Sequence, residues 1–519
     1  MAASLFPRRS SLICARIASG DDGRLPLMRI LMATSELFPY SKTGGLADMV
    51  AGLAGALAQS GHEVRVVTPL YRGVRERFPE LKPFDWHCEL PMGSKRVAAG
   101  VWTTTSADGV LTYFVDASAY FGRPHLYQED GHSYADNPER FIFFSKCVTH
   151  LARYLPWRPD VVHLHDWQVA MVPLLIRHQA THDHWVSPPR TCLTIHNLAY
   201  QGTCQREHFQ LTNLPLEYFN ADGPEFYGSF NPLKAGLHYA DCLTTVSPSY
   251  AKEITTPEMG AGLDSVLRQR GTALSGILNG VDYAEWNTTR NPHLPHAYSA
   301  DNLAGKAKNK AELQAALGLP VKPDVPLFAS ITRLAEQKGM TLLHDVLQTE
   351  LEKPIQFVLL GEGDPGIEGL CTQLAQQHRD RVAVRIGYDN ALAHRIEAGA
   401  DFFLMPSKYE PCGLNQLYSL RYGTIPVVRA TGGLKDSVVD IAQKPKTGTG
   451  VKFTDYTMAN LAKAIQRAQS LYADKAKMAA TVHRAMKADF SWQTSAGKYA
   501  KRFAALGADQ ILAATAVAN

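Results

Sequence analysis

MRILMATSELFPYSKTGGLADMVAGLAGALAQSGHEVRVVTP, spanning Met28–Pro69, decides the fold class of this chain. Arg29–Thr34 is a short apolar run of strand length, and Leu46–Ser60 repeats its apolar residues at helical spacing. Gly61 stops that helix, and the valine-rich Glu63–Pro69 reads as a second strand. Strand, helix and strand in so short a span make a βαβ unit, whose crossover requires parallel strands and helices on the faces of the sheet. Between the first strand and its helix lies Ser41-Lys42-Thr43-Gly44-Gly45-Leu46-Ala47-Asp48. Bare glycine N–H groups at a helix N-terminus, with a lysine beside them, form an anion cradle. Asp48, in the first helical turn, has the simpler alternative task of stabilising the helix N-terminus.

The alternation continues outward. Val161–Leu164, Thr191–Ile195 and Cys242–Val246 read as strands, with helices over Phe141–Tyr154 and Gln168–His178. After a polar stretch at Pro292–Lys310 it restarts with strands at Leu327–Ile331, Gln356–Leu360, Val382–Ile386, Phe402–Met405 and Ile425–Val428. Helices at Met340–Leu351, Ile367–His378 and Leu414–Tyr422 separate them. Two runs of βα units predict an α/β chain of two Rossmann-like, doubly wound parallel-sheet domains, at 28–290 and 291–495, followed by a helix or tail at 496–519. Residues 1–27 carry Arg8, Arg9 and Arg16 with no acid before Asp21, and are expected to be a disordered extension outside the fold.

Composition narrows the function. Of 519 residues, 45% are hydrophobic and 20% charged, and the 53 Lys and Arg exceed the 49 Asp and Glu by only +4. So mild and diffuse a charge excludes a nucleic-acid partner, which needs a concentrated basic face. The chain has no uncharged apolar run of about 18 residues, so no membrane span is expected. Eight cysteines without a Cys-x-x-Cys pair predict reduced thiols in a cytoplasmic protein rather than a disulfide frame or zinc site.

Ligands of doubly wound sheets bind beyond the carboxyl ends of the strands, so the residues there are the first candidates for a site. After Leu327–Ile331 come Arg333 and Lys338, spaced to clamp a diphosphate and neutralise it as a leaving group. After Phe402–Met405 comes Glu410, beside a helix start where a carboxylate is stabilised and can accept sugar hydroxyls. Ile425–Val428 runs into a second Gly-Gly loop, Thr431-Gly432-Gly433. Gly361-Glu362-Gly363-Asp364-Pro365-Gly366 fits the dinucleotide pattern, but Glu362 and Asp364 would oppose a pyrophosphate, so a nicotinamide cofactor is not expected. His163 and His165 share one side of their strand, yet a metal would need a third ligand that the sequence does not supply. His196 and Asn197 end another strand, and spacing alone gives them no role.

KTGGLAD (Lys42–Asp48), HDW (His165–Trp167), IHNLAYQG (Ile195–Gly202), ILNGVD (Ile277–Asp282), EPCGL (Glu410–Leu414) and RYGTIPVVRATGGL (Arg421–Leu434) together resemble the bacterial glycogen synthases and plant starch synthases. The resemblance runs in order from Met28 to about Ala500. It implies a GT-B type fold, two Rossmann-like domains facing across a cleft, with a C-terminal helix crossing back to the N-terminal domain. It also implies retaining transfer of glucose from ADP-glucose to the non-reducing 4-OH of an α-1,4-glucan, with no cofactor and no metal. By position it implies catalytic roles for His196, Arg333, Lys338 and Glu410. Donor contacts would come from Lys42, Gly44, Gly45, Asp48, Asn279, Arg333, Lys338, Tyr388, Glu410, Cys412, Gly413, Thr431, Gly432 and Gly433, with Tyr388 stacking on adenine. Glu36, Tyr127, Asp166 and Trp167 would lie near the acceptor.

Many related glycosyltransferases carry a second Glu where this chain has Tyr418, and Asn415 stands where Thr is common. A glycosidase-like double displacement needs two carboxylates about 5–5.5 Å apart. The expected chemistry is therefore front-face transfer, in which the departing diphosphate itself takes the acceptor proton. The alternatives are an inactive glucan-binding protein or a transferase using another nucleotide-sugar. Because Arg333 and Lys338 stand where a cation would neutralise diphosphate, turnover is expected to be undiminished in excess chelator. Loss restored specifically by magnesium or manganese would refute that.

Overall fold

The structure, a computed structural model, describes residues 25–518; residues 1–24 of the expected extension lie outside the described residues. They form two compact units, one comprising 25–245, 254–277 and 492–518, the other 246–253 and 278–491. The division falls at Leu278, not at 291, and the return to the first unit begins at Trp492, not at 496. The reason is packing. Val281 donates its N–H to the Phe490 carbonyl at 2.7 Å, and Val281, Trp286 and Tyr298 are buried in the core of the second unit.

The first unit holds a nine-stranded sheet in the order Leu274–Gly276, Cys242–Thr245, Arg190–Ile195, Val161–His165, Arg29–Ala33, Glu63–Pro69, Leu111–Asp116, Lys95–Thr105, Lys82–Met92. It is parallel from Leu274–Gly276 to Leu111–Asp116, and the last two strands add an antiparallel meander. The sheet is therefore mixed rather than wholly parallel. Lys82–Met92 escapes a hydrophobic-run reading because it is an edge strand: Pro83 and Pro91 lie in it, its register shifts between Phe84 and His87, and most of its residues are at least partly exposed.

In the second unit the order is Val382–Ile386, Gln356–Gly361, Leu327–Ile331, Phe402–Met405, Ile425–Arg429, Val451–Phe453, parallel throughout. Alternate residues face opposite cores. Phe328, Phe357, Leu359 and Leu404 join one cluster, while Leu327, Ala329, Val358 and Phe403 join the other. Burial on both faces explains the unbroken apolar runs of these strands. In both units the earliest strand of the chain lies centrally, with later strands added first on one side and then on the other. That reversal leaves a crevice at the carboxyl ends of the two central strands.

The helix Gly45–Gln59 packs beneath the C-terminal helix Trp492–Ala518, and a Cβ on Gly52 would stand 2.0 Å from Trp492 Nε1. Gly52→Ala therefore sets a helix-propensity gain of about 0.5–1 kcal/mol against overpacking of about 1–3 kcal/mol. A net fall in melting temperature is expected; an unchanged or raised value would refute the close approach.

Candidate active site

In the first unit, the reversal lies between Arg29–Ala33 and Val161–His165, and the chain beyond each strand supplies one carboxylate. Glu36 is 4% exposed and sits inside the glycine loop that the sequence marks as an anion cradle. It accepts from Thr43 N at 2.6 Å, Thr43 Oγ1 at 2.6 Å, Gly44 N at 3.3 Å and Tyr127 OH at 2.9 Å. Burial, then the Glu36 charge, pushes the Tyr127 phenol well above its ordinary value. Lys42 and Asp48 form an ion pair with each other at 2.8 Å, and Gly45 opens the helix. Burial raises the Asp48 carboxyl, and the Lys42 charge opposes it.

Asp166 follows the other central strand with φ 61° and ψ −173°, a region otherwise reserved for glycine, and such strain persists only where the surroundings impose it. Its Oδ1 accepts the His196 backbone N–H at 2.7 Å. Burial is the main cause that raises its carboxyl to about 7, and Glu36 adds to this, while the N–H groups of His196 and Asn197 oppose it. His196 Nε2 lies 3.1 Å from His165 Nδ1, and burial lowers His196 to about 3. Trp167 packs edge-on against Phe141, with ring centroids 5.1 Å apart. Among the described residues no group of His, Cys, Asp and Glu is arranged to hold a metal.

In the second unit, the reversal brings the loops after Leu327–Ile331 and Phe402–Met405 together. Lys338 Nζ donates to Glu410 Oε2 at 2.7 Å, and Ser407 Oγ donates to the same oxygen at 3.0 Å. Gln337 fastens the loops, its carbonyl accepting Lys408 N–H at 2.8 Å and its side chain donating to the Tyr409 carbonyl at 3.3 Å. Arg333 is exposed at the rim. Gly433 N–H turns to the Glu410 and Pro411 carbonyls at 3.2 and 3.1 Å. Gly432 N–H donates to Glu253 at 2.9 Å, with the Thr431 hydroxyl 3.4 Å from that carboxylate. At Gly432 φ is 42° and a Cβ would meet the Glu410 carbonyl oxygen at 2.0 Å, so no larger residue fits there.

Cys412 is buried and its thiol is pushed up to about 12 by burial, partly offset by the Asn279 N–H. Gly413 turns the chain with φ 70° beside Gln416. The Asn279 side-chain oxygen is buried without a partner. Tyr388 stands apart from this cluster, on the loop after the edge strand Val382–Ile386, 64% exposed, with its hydroxyl donating to Asn390 at 3.0 Å.

The two unusual positions have structural partners. Tyr418 stacks flat on Trp286, with centroids 3.7 Å apart and planes at 5°, so packing occupies the place of a second carboxylate. The Asn415 amide donates to the Ile331 carbonyl, tying its helix to the first strand of the unit. The dinucleotide-like loop is a helix cap: Asp364 accepts from Gly366 N at 2.8 Å and Ile367 N at 3.1 Å, and so occupies the amides a pyrophosphate would need. Ser407, Gln337 and Glu253 were not singled out from the sequence. Glu253, in the chain that follows the strand Cys242–Thr245, was open to the same strand-end rule that found the others.

Residues 29–269 match the starch synthase catalytic domain, and residues 312–484 match the glycosyl transferases group 1. The chain is 47% identical to a glycogen synthase of Anaeromyxobacter sp. (strain Fw109-5) over 93% of its own length and 100% of that protein's. It is 41% identical to glycogen synthase 2 of Geobacter sulfurreducens over 91% of its own length and 97% of that protein's. Among solved structures, the catalytic domain of starch synthase IV from Arabidopsis thaliana, bound to ADP and acarbose, matches with TM-score 0.84 and 34% identity, covering 93% of this chain and 99% of that one. A sucrose-phosphate synthase from Thermosynechococcus elongatus shares the fold, with TM-score 0.56 and 19% identity, covering 94% of this chain and 100% of that one.

The raised Asp166 carboxyl has a sign that can be measured. Its folded value of about 7 lies above the unfolded value near 4, so ionising it costs stability as pH rises across that window. Asp166→Asn removes this slope. The melting-temperature difference, variant minus parent, is expected to grow from pH 5 to pH 8; a difference that does not change with pH would refute the assignment.

Proposed function

The chain belongs to the glycogen synthase and starch synthase family of glycosyltransferases, and on that premise we propose that it moves glucose from ADP-glucose, with retention, to the non-reducing 4-OH end of an α-1,4-glucan. ADP is released. The observation that carries this reading is the Lys338–Glu410 contact of 2.7 Å at the strand-order reversal. A diphosphate in that crevice meets the ammonium of Lys338 and, from the rim, the guanidinium of Arg333. Both stabilise the charge that builds as the glucosyl bond breaks. Glu410 holds Lys338 in position and accepts glucose hydroxyls, and with Tyr418 stacked away the departing diphosphate takes the acceptor proton.

The remaining roles follow from position. Asn279, with its unpartnered oxygen, and His196 contact the donor glucose, alongside the Cys412–Gly413 turn and the Thr431–Gly433 loop. Tyr388, exposed beyond its strand, stacks on adenine. Lys42, Gly44, Gly45 and Asp48 serve the donor phosphates. The Lys42–Asp48 pair is partly exposed and worth at most about 1 kcal/mol, so a diphosphate can take Lys42 over. Glu36, Tyr127, Asp166 and Trp167 line the acceptor side. No described helix is long and apolar enough to cross a membrane, and cysteine spacing supports a cytoplasmic setting.

A panel of ADP-, UDP- and GDP-glucose with glycogen as acceptor, followed by linkage analysis, tests the reaction; α-1,4 extension from ADP-glucose is expected. Lys338→Ala is expected to lower turnover by about 10²–10³, as does removal of one preorganised stabilising group elsewhere. Glu410→Gln is expected to depress turnover strongly, because an amide replaces one acceptor by a donor. Near-normal turnover in either folded variant removes that residue from the site.

A further inference from the structure

Three histidines stand in line beneath the acceptor-side loops. His163 and His165 are fully buried on one strand, with rings 4.2 Å apart, and His196 follows the neighbouring strand, 3.1 Å from His165. Burial lowers His163 and His196 to about 3 and His165 well below its ordinary value, so all three are neutral near pH 7. A neutral imidazole has one N–H and one bare nitrogen, so in the contact between His165 Nδ1 and His196 Nε2 one nitrogen donates and the other accepts.

The rest of the network decides which. His165 Nε2 is buried without a partner, and so is His163 Nδ1. A buried N–H with no acceptor is rarer in proteins than an unsatisfied acceptor, so both of these nitrogens are the bare ones. The His163 proton then sits on Nε2 and donates to Thr194 Oγ1 at 2.7 Å, a hydroxyl that is also hydrogen-bonded to Thr244 Oγ1 at 2.6 Å. The His165 proton sits on Nδ1 and donates to His196 Nε2. His196 must then carry its own proton on Nδ1.

We propose that His165 is a positioning residue that fixes the tautomer of His196, so that His196 meets its ligand as an Nδ1–H donor. Asp166 holds the backbone of His196 from the other side, through the 2.7 Å bond to its N–H. Thus two consecutive residues of one strand end set the position and the proton of the same imidazole. The inference rests on the reading that His196 contacts donor glucose, and adds that the contact runs from Nδ1–H to a sugar oxygen. With its proton committed there, Nδ1 does not serve as a base.

Long-range proton–nitrogen NMR of the full chain labelled with 15N-histidine reads each tautomer directly, with His196 assigned by its loss in His196→Gln. The expected signature is a protonated Nδ1 and a bare Nε2 on His196; the opposite pattern overturns the proposal. In His165→Leu, kcat/KM for ADP-glucose is expected to fall about tenfold, as for one lost hydrogen bond. His165→Asn, whose amide can donate from nearly the same place, is expected to restore most of it. A folded Leu variant that keeps both the signature and the activity also overturns the proposal. If the Leu variant does not fold, the parent spectrum and the Asn variant still decide. Should His196→Gln retain full turnover, the glucose-contact reading fails, while the NMR pattern tests the tautomer separately.

Discussion

Right-handed crossovers that begin at a central strand and build outward, first to one side and then to the other, cannot cover the place where they part. Each unit is organised by that constraint. In the first, Glu36 and Asp166 follow the two strands flanking the gap; in the second, Lys338 and Glu410 do the same. Nothing in the local sequence of these residues demands that they meet. The strand order does.

Once the gap exists, the chain's own carboxylates organise its rim. Glu36 satisfies the amides of the first glycine loop, and Glu253 those of the second. Each holds an otherwise pliant loop in one conformation, so its shape is set before any substrate arrives. Such internal anions also raise the cost of neighbouring negative charge, which is part of why Asp166 titrates near 7.

Much of this was legible in the sequence. Most of the buried parallel strands are legible to within a residue or two of their ends, because burial on both faces gives unbroken apolar runs, but Leu111–Asp116 and the short Val451–Phe453 are not. The antiparallel strands Lys82–Met92 and Lys95–Thr105 are not legible, because strands with one wet face carry charges, and the edge strand carries prolines as well. The unit boundary falls earlier than the polar stretch Pro292–Lys310 suggests, because Val281 pairs with Phe490, far along the chain. Lys338, Glu410, Asp166 and His196 were readable as strand-end residues. Their partners were not: the stacking of Tyr418 on Trp286 and the bond from Asn415 to Ile331 join residues with no sequence signal linking them.

The C-terminal helix has a consequence for how the protein is made. It supplies Trp492 to the groove at Gly52, and Tyr499 and Phe503 to the buried ring of His163. These residues leave the ribosome after the whole of the second unit has been synthesised. The first unit to emerge is therefore the last to be finished, with an apolar seam on its sheet left open while the rest is translated. The usual order, in which an N-terminal domain folds to completion first, is unavailable to this chain. Until the final helix arrives, Gly52 and the ring of His163 lack those packing partners.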